Sequence, residues 1–250
     1  MDLISWVKAE LPVRMEHLCI RIGDDERTGL VVLDEVNGFC TVGHGNLAPR
    51  APDAQVERMV DETVRIAREF RSRHLPVLAF LDCHDPNKPE NPYPPHCLVG
   101  SGEEELVPDL KWFEDDDEVV LVRKDCINGF VGAMRPDGSN TVVDWINANK
   151  IQRILVVGVC TDICVLDFVA TMTSVRNHGI SPPLEEIVVY AQGCSTYDLP
   201  LAVAKEIGAV AHPQDLAHHM GLYLTAARGA KIVDSVQFAA EIHPNGVKKV

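Results

Sequence analysis

Residues 152–179 read QRILVVGVCTDICVLDFVATMTSVRNHG. After two polar residues, the run 152–159 is almost wholly apolar, which predicts a strand buried on both faces. Residues 162–178 carry apolar side chains at helical spacing, and Gly179 followed by Pro182-Pro183 stops that helix. A buried strand passing straight into a helix is half of a parallel crossover unit. The same alternation extends outward in both directions. Residues 28–34 (TGLVVLD), 76–82 (PVLAFLD), 118–123, 186–191 and 230–234 read as further strands. Residues 54–74, 141–149, 200–207 and 213–228 read as helices. Such a pattern implies a parallel sheet covered on both faces, joined by right-handed crossovers. The expected fold class is therefore α/β: a three-layer α/β/α sandwich around a doubly wound, mainly parallel six-stranded sheet.

Composition narrows the function. The chain has 250 residues and a net charge of -14, with 46% hydrophobic and 24% charged residues. That is the balance of a globular protein able to bury a sizeable core. An acidic surface repels phosphate backbones and anionic headgroups, so neither nucleic acid nor membrane is an expected partner. The opening MDLISWVKAELPVRMEHL has an early acid and no signal-like apolar core, and the expected location is cytoplasmic. Eight cysteines without a C-x-x-C pair suggest neither a disulfide framework nor a zinc ribbon. Residues 83–106 are the one long irregular stretch, and their NPYPPHC (residues 91–97) reads as an ordered site loop.

In open α/β sheets ligands bind at the carboxyl ends of the strands. That edge collects Asp34, Asp82 with His84, Lys124, and the segment from Gly158 to Cys164. Cys164 opens a helix, where backbone N–H groups favour a thiolate and can hold an oxyanion. Lys124 would supply a fixed positive charge that keeps the thiol ionised. Asp34, at the end of an apolar strand, would act as general base and then return its proton to a leaving amine. Asp82-x-His84 is half of a metal site, which Glu90 and His96 from the same loop could complete. Mixed oxygen and nitrogen ligands suit zinc, manganese or iron. Each feature alone also fits an ordinary structural role, and their convergence on one edge carries the reading. His74, Asp85, His178, His212, His218 and His219 read as surface or helix-end residues without a role.

These residues resemble the cysteine-hydrolase superfamily of nicotinamidases and isochorismatases. Residues 34–39 (DEVNGF) are similar to its D-x-x-N-x-F segment, and residues 158–165 (GVCTDICV) to its G-x-x-T-D-x-C-V segment, with Lys124 between them. The resemblance runs over residues 29–233 and is nearest to the plant-type nicotinamidases. It implies a hydrolase domain over residues 27–238, between an N-terminal extension (1–26) and a C-terminal tail (239–250). It implies a triad of Asp34, Lys124 and Cys164. It also implies an oxyanion hole from the N–H groups of Cys160 and Cys164, with a cis peptide between Val159 and Cys160. The loop is similar to the nicotinamidase metal loop, implying Asp82, His84 and His96 as ligands to one divalent ion, with zinc first, and Glu90 where some relatives place a fourth. Phe39 and Tyr93 match the aromatic residues that sandwich a pyridine ring. The implied activity is hydrolysis of nicotinamide to nicotinate and ammonia through a cysteine thioester, in NAD salvage, by a homo-oligomeric enzyme.

Gly38 in place of a common acid, and Cys160 where alanine is frequent, leave the breadth of substrates open. Two rival readings stand beside this one. The first is another amidohydrolase or isochorismatase on the same scaffold, which bound metal would disfavour. The second is a non-catalytic binding protein, which the presence of all triad members disfavours.

Overall fold

The computed structural model describes residues 2–21, 27–88 and 90–239, apart from the side chain of Ile207. The strands are β1 (Met15–Ile20), β2 (Thr28–Leu33), β3 (Val77–Asp82), β4 (Val119–Lys124), β5 (Arg153–Val159), β6 (Glu186–Ser195) and β7 (Lys231–Phe238). The helices are α1 (Leu3–Glu10), α2 (Asn37–Cys40), α3 (Ala54–Ser72), α4 (Gly129–Gly132), α5 (Thr141–Asn149), α6 (Cys164–His178), α7 (Leu201–Ile207) and α8 (Gln214–Ala227). A 3-10 helix over Pro108–Asp115 precedes β4. Among the described residues the strands form one sheet in the order β1-β7-β6-β5-β2-β3-β4. Every pairing in it is parallel.

Alternate side chains of the central strands serve opposite faces, as the strand period requires. Val31 and Leu33 join α5 and α6 residues such as Trp145 and Phe168 in one core. Leu30 and Val32 join Ile66 and Phe70 of α3 in the other. Strands buried on both faces are why the sequence shows continuous apolar runs in place of alternation. The sandwich expected from sequence is present, with one correction: the sheet has seven strands, where six were expected. The additional strand is β1, inside the expected N-terminal extension. It pairs with β7 at the sheet edge, and its residues alternate between exposed and buried positions. An edge strand covered on one side carries no continuous apolar run, so MEHLCI gave no buried-strand signal. The expected C-terminal tail lies outside the described residues beyond Ala239. No helix among the described residues is long and apolar enough to cross a membrane.

The strand order reverses between β2 and β5. From β2 the chain moves outward through β3 to β4, and from β5 it moves the other way through β6 to β7. The chain leaving β2 and the chain leaving β5 therefore part to opposite faces and open a crevice at their carboxyl ends. Gly158 makes that junction possible. Its φ is +120°, and a Cβ there would lie 2.1 Å from the Leu33 carbonyl oxygen.

Candidate active site

The ends of four strands meet at this crevice. Asp34 follows β2 directly and is fully buried. Asp82 ends β3 and Lys124 ends β4, where the two are register partners. Lys124 reaches across β3: its Nζ lies 2.9 Å from Asp34 Oδ2 and 2.9 Å from Asp82 Oδ1. After β5 the chain turns through residues 160–163, with the Cys160 carbonyl accepting the N–H groups of Ile163 and Val165. α6 then starts at Cys164, a buried residue close enough to Asp34 for each to influence the other's charge. The peptide between Val159 and Cys160 is cis. The structure thus pairs the ammonium and the carboxylate named from sequence and buries the sulfur within electrostatic reach of both.

Burial governs the charges. It pushes the Asp34 carboxyl up, the Lys124 ammonium pulls it back, and the balance stands at about 6. Lys124 is held well above its ordinary range: burial opposes its charge, but Asp34, Cys164 and Asp82 more than offset it. The Cys164 thiol is raised well above its ordinary value, because burial outweighs the pull of Lys124. That direction favours the protonated thiol over a standing thiolate.

Beside the triad, Asp82 Oδ2 lies 2.8 Å from His84 Nε2 and 3.1 Å from His96 Nε2. One ligand atom from each of Asp82, His84 and His96 falls within 4.8 Å of the others, and all of these residues are buried. Hydrogen bonds from both histidines and the Lys124 charge hold the Asp82 carboxyl far below the usual carboxylate range, against the effect of burial. His96 Nδ1 lies 2.8 Å from the Pro94 carbonyl oxygen, which makes Nδ1 a donor and turns Nε2 toward Asp82, the side from which a metal would take it in place of a proton. Two imidazole nitrogens and a carboxylate, buried together, suit a divalent metal ion. Glu90 Oε2 stands 3.7 Å from His84 Nε2 and 3.6 Å from His96 Nε2, adjacent to that group. The loop carrying these residues is tied down. The His84 N–H donates to the Cys97 carbonyl, the Val99 N–H to the His84 carbonyl, and the Cys97 N–H to the Glu103 carboxylate.

The cleft above these groups encloses about 500 Å³ of open space, including the part shared with solvent. Phe39, Tyr93, His96, Ile163, Cys164 and Tyr197 line it. The Phe39 and Tyr93 rings lie 5.7 Å and 5.9 Å from the His96 ring. Asp34 and Lys124 sit behind this surface with almost no exposure.

Sequence reasoning missed Tyr197 and the polar cluster behind it. Of the histidines expected at the surface or at helix ends, His74 and His178 are exposed, whereas three others have buried or half-buried partners. His212 Nε2 lies 2.8 Å from Asp162 Oδ2. His218 Nδ1 lies 2.8 Å from Thr161 Oγ1. His219 is buried, with Nε2 3.0 Å from the Leu11 carbonyl oxygen. Gly221 lets α8 rest against the Thr161–Asp162 backbone, where a Cβ would approach to 2.8 Å. These contacts join residues dozens of positions apart, and no local spacing announces them. The one available signal was Asp162 itself, an acid beside the nucleophile that needs a partner once buried.

A family model described as the isochorismatase domain matches residues 28–234. Among curated proteins, the chain is 56% identical to Nicotinamidase 1 of Arabidopsis thaliana over 237 residues, covering 94% of this chain and 97% of that one. It is 28% identical over 166 residues to a nicotinamidase of Acinetobacter baylyi, covering 58% of this chain and 74% of the relative. Among solved structures, a nicotinamidase from Bacillus subtilis superposes with a TM-score of 0.62 at 19% identity, covering 83% of this chain and 100% of that one. A pyrazinamidase of Pyrococcus horikoshii in complex with zinc gives a TM-score of 0.58 at 18% identity, covering 83% and 98%. At those identities the structural likenesses speak to the fold.

Proposed function

The chain belongs to the isochorismatase family, and from that premise we propose that it is a nicotinamidase, hydrolysing nicotinamide to nicotinate and ammonia. The observation that carries this reading is the burial of Cys164 beside the Asp34–Lys124 ion pair at an aromatic cleft, next to a metal-suited Asp-His-His group. The high identity to a curated plant nicotinamidase supports the same substrate.

In this mechanism the pyridine ring lies against Phe39 and Tyr93. Asp34 takes the Cys164 proton while the sulfur attacks the amide carbon. The N–H groups of Cys160 and Cys164 receive the oxyanion; first-turn N–H groups of a helix have no intrahelical acceptor and are free for this use. Asp34 then delivers its proton to the nitrogen, the carbon–nitrogen bond breaks, and ammonia leaves a thioester on Cys164. Water attacks that thioester with Asp34 as base, the carbon–sulfur bond breaks, and the returning proton restores the thiol. Lys124 stays charged throughout and stabilises Asp34 whenever it is ionised.

Asp82, His84 and His96, with Glu90 next to them, would hold a divalent ion, proposed as zinc ahead of manganese or iron. When bound it supplies a Lewis-acid site for the ring nitrogen. In this reading residues 27–238 form the main body of the hydrolase domain, the N-terminal segment 1–26 contributes the edge strand β1 to its sheet, and residues 239–250 are a C-terminal tail. The product feeds NAD salvage, the enzyme self-associates, and it works in the cytoplasm. The eight free cysteines suit a reducing compartment. The purified protein should release ammonia from nicotinamide, and Cys164→Ala should abolish that release while leaving the fold intact. Ammonia release by the alanine variant at the wild-type rate overturns the nucleophile assignment. The second reading, an amidohydrolase for a different small amide, predicts no turnover of nicotinamide and no metal at one ion per chain.

A further inference from the structure

Tyr197 lines the same cleft as Cys164, on the chain that leaves β6, and several independent contacts hold it there. Its ring stacks on His212 with centroids 3.8 Å apart and planes 12° from parallel. His212 Nδ1 lies 2.8 Å from the Tyr197 carbonyl oxygen, and Nε2 lies 2.8 Å from Asp162 Oδ2. Both partners are acceptors only, so both ring nitrogens donate and the stacked ring is an imidazolium. A cation against a tyrosine face adds attraction to the stack. Burial alone would depress His212, but Asp162 holds its pKa above the ordinary range, in agreement. The other Asp162 oxygen accepts the Thr196 hydroxyl at 2.7 Å, one residue before Tyr197. Leu199 and His212 exchange both backbone hydrogen bonds at 2.8 Å, closing the base of the segment that carries α7. Asp162 lies two residues before the nucleophile. The same carboxylate thus fixes the aromatic wall and sits in the turn that delivers the sulfur.

We propose that Tyr197 contacts the substrate ring and sets substrate size, and that His212 and Asp162 are positioning residues acting through it. The proposal deepens the amidase reading and rests on it. It commits to a ligand class: amides on a single six-membered heteroaromatic ring, with fused bicyclic rings excluded by the Tyr197 wall. Phe39 and Tyr93 bound the cleft as well, and both rings pack against His96.

The test uses the full-length chain with nicotinamide and quinoline-3-carboxamide as probes. Tyr197→Ala should raise KM for nicotinamide on the order of tenfold while kcat changes less than about threefold, as loss of ring contact requires. It should also shift kcat/KM toward the bicyclic amide. Tyr197→Phe should behave as wild type, because the wall acts through its ring. His212→Leu should move KM and selectivity in the same direction as Tyr197→Ala, by a smaller factor. If the alanine variant does not fold, Tyr197→Leu serves in its place. A folded Tyr197→Ala or Tyr197→Leu enzyme with wild-type KM and wild-type preference overturns the proposal. Calorimetric binding of nicotinamide to Cys164→Ala, with and without Tyr197→Ala, separates the two layers. Weakened binding in the double variant, with no ammonia release by wild type, ends the amidase reading and keeps the wall. No nicotinamide binding in either chain overturns both.

Discussion

Lys124→Met removes the only cation in contact with both Asp34 and Asp82 among the described residues, and its cost should depend on pH in a defined direction. Removing one partner from a buried ion pair typically costs about 3–5 kcal/mol, because the remaining charge is left in a low dielectric. Asp82 keeps His84 and His96 as hydrogen-bond donors. The Asp34 carboxylate oxygens have no hydrogen-bond partner among the described residues and lean on the Lys124 ion pair, so the cost falls mainly on Asp34. In the wild type the folded Asp34 titrates at about 6, above its ordinary 3.8. Between those values the folded chain binds more protons than the unfolded chain, and this group's contribution to stability falls as pH rises. Without the lysine the folded value climbs further, since Lys124 is the largest influence pulling it down. The window of falling stability then extends above pH 6. Urea denaturation of both proteins at pH 5.5 and pH 8 reads this directly. The variant should be the less stable at both, and its deficit should grow toward pH 8 by up to roughly 1.4 kcal/mol per pH unit. A deficit that is equal at the two pH values, or that shrinks toward pH 8, refutes the claim that Lys124 chiefly serves the Asp34 carboxylate.

Three further outcomes are expected. His96→Ala should lower bound metal, measured by elemental analysis, and raise KM for nicotinamide more than it lowers the melting temperature; unchanged metal content and KM remove the ligand assignment. His218 has a pKa depressed to about 4 by burial, so the unfolded chain binds more protons between pH 4 and 6.5 and stability drops as pH falls through that range. His218→Gln should flatten that decline in a pH series of denaturation curves, and an unchanged slope assigns acid sensitivity elsewhere. Gly158→Ala forces a Cβ to 2.1 Å from the Leu33 carbonyl oxygen at the centre of the sheet. It should cost more than the roughly 1–3 kcal/mol of ordinary overpacking, and a variant melting within a few degrees of wild type contradicts the packing described.

The strands that carry the catalytic residues were legible because the parallel core makes them apolar throughout. Residues 76–82 and 152–159 predicted β3 and β5 to within a residue. The helices 54–74 and 162–178 were legible from spacing and stop signals, each within two residues of α3 and α6. What escaped was governed by position in the finished sheet. β1 lies at an edge, and its MEHLCI alternates because one face is open to solvent. The candidate site divides in the same way. Asp34, Asp82, Lys124 and Cys164 sit at strand ends or a helix start, which a strand reading finds. Tyr197, His212 and His218 lie in or beyond connections after β6, where burial is set by docking against the nucleophile turn. The upward shift of the Cys164 thiol was not legible in sequence for a related reason. A helix start and a lysine are visible in sequence, whereas the complete burial that outweighs them is a property of the packed molecule.

Strand order also explains why a lysine completes the proposed triad and why that lysine is tied to the metal-suited group. β4 and β2 are separated by β3, so the Lys124 and Asp34 backbones stand about two strand spacings, roughly 10 Å, apart. Only a long, flexible side chain crosses that gap, and its path runs over the end of β3, where Asp82 is its register partner. Lys124 therefore cannot reach the general base without also passing the carboxylate that faces His84 and His96. The two oxygens of Asp82 divide the work: Oδ1 takes the ammonium and Oδ2 faces the imidazoles. A change in what Oδ2 binds alters the negative charge left to hold Lys124, and with it the charge available to Asp34. In the proposed mechanism, nucleophile chemistry and metal affinity are thus coupled through one side chain by the topology of the sheet. Asp82→Asn should accordingly impair both bound metal and the ammonia-releasing step, whereas His84→Ala, which leaves the Lys124 contact in place, should cost metal first. Equal loss of metal with equal, undiminished turnover in both variants would break the link between the two groups.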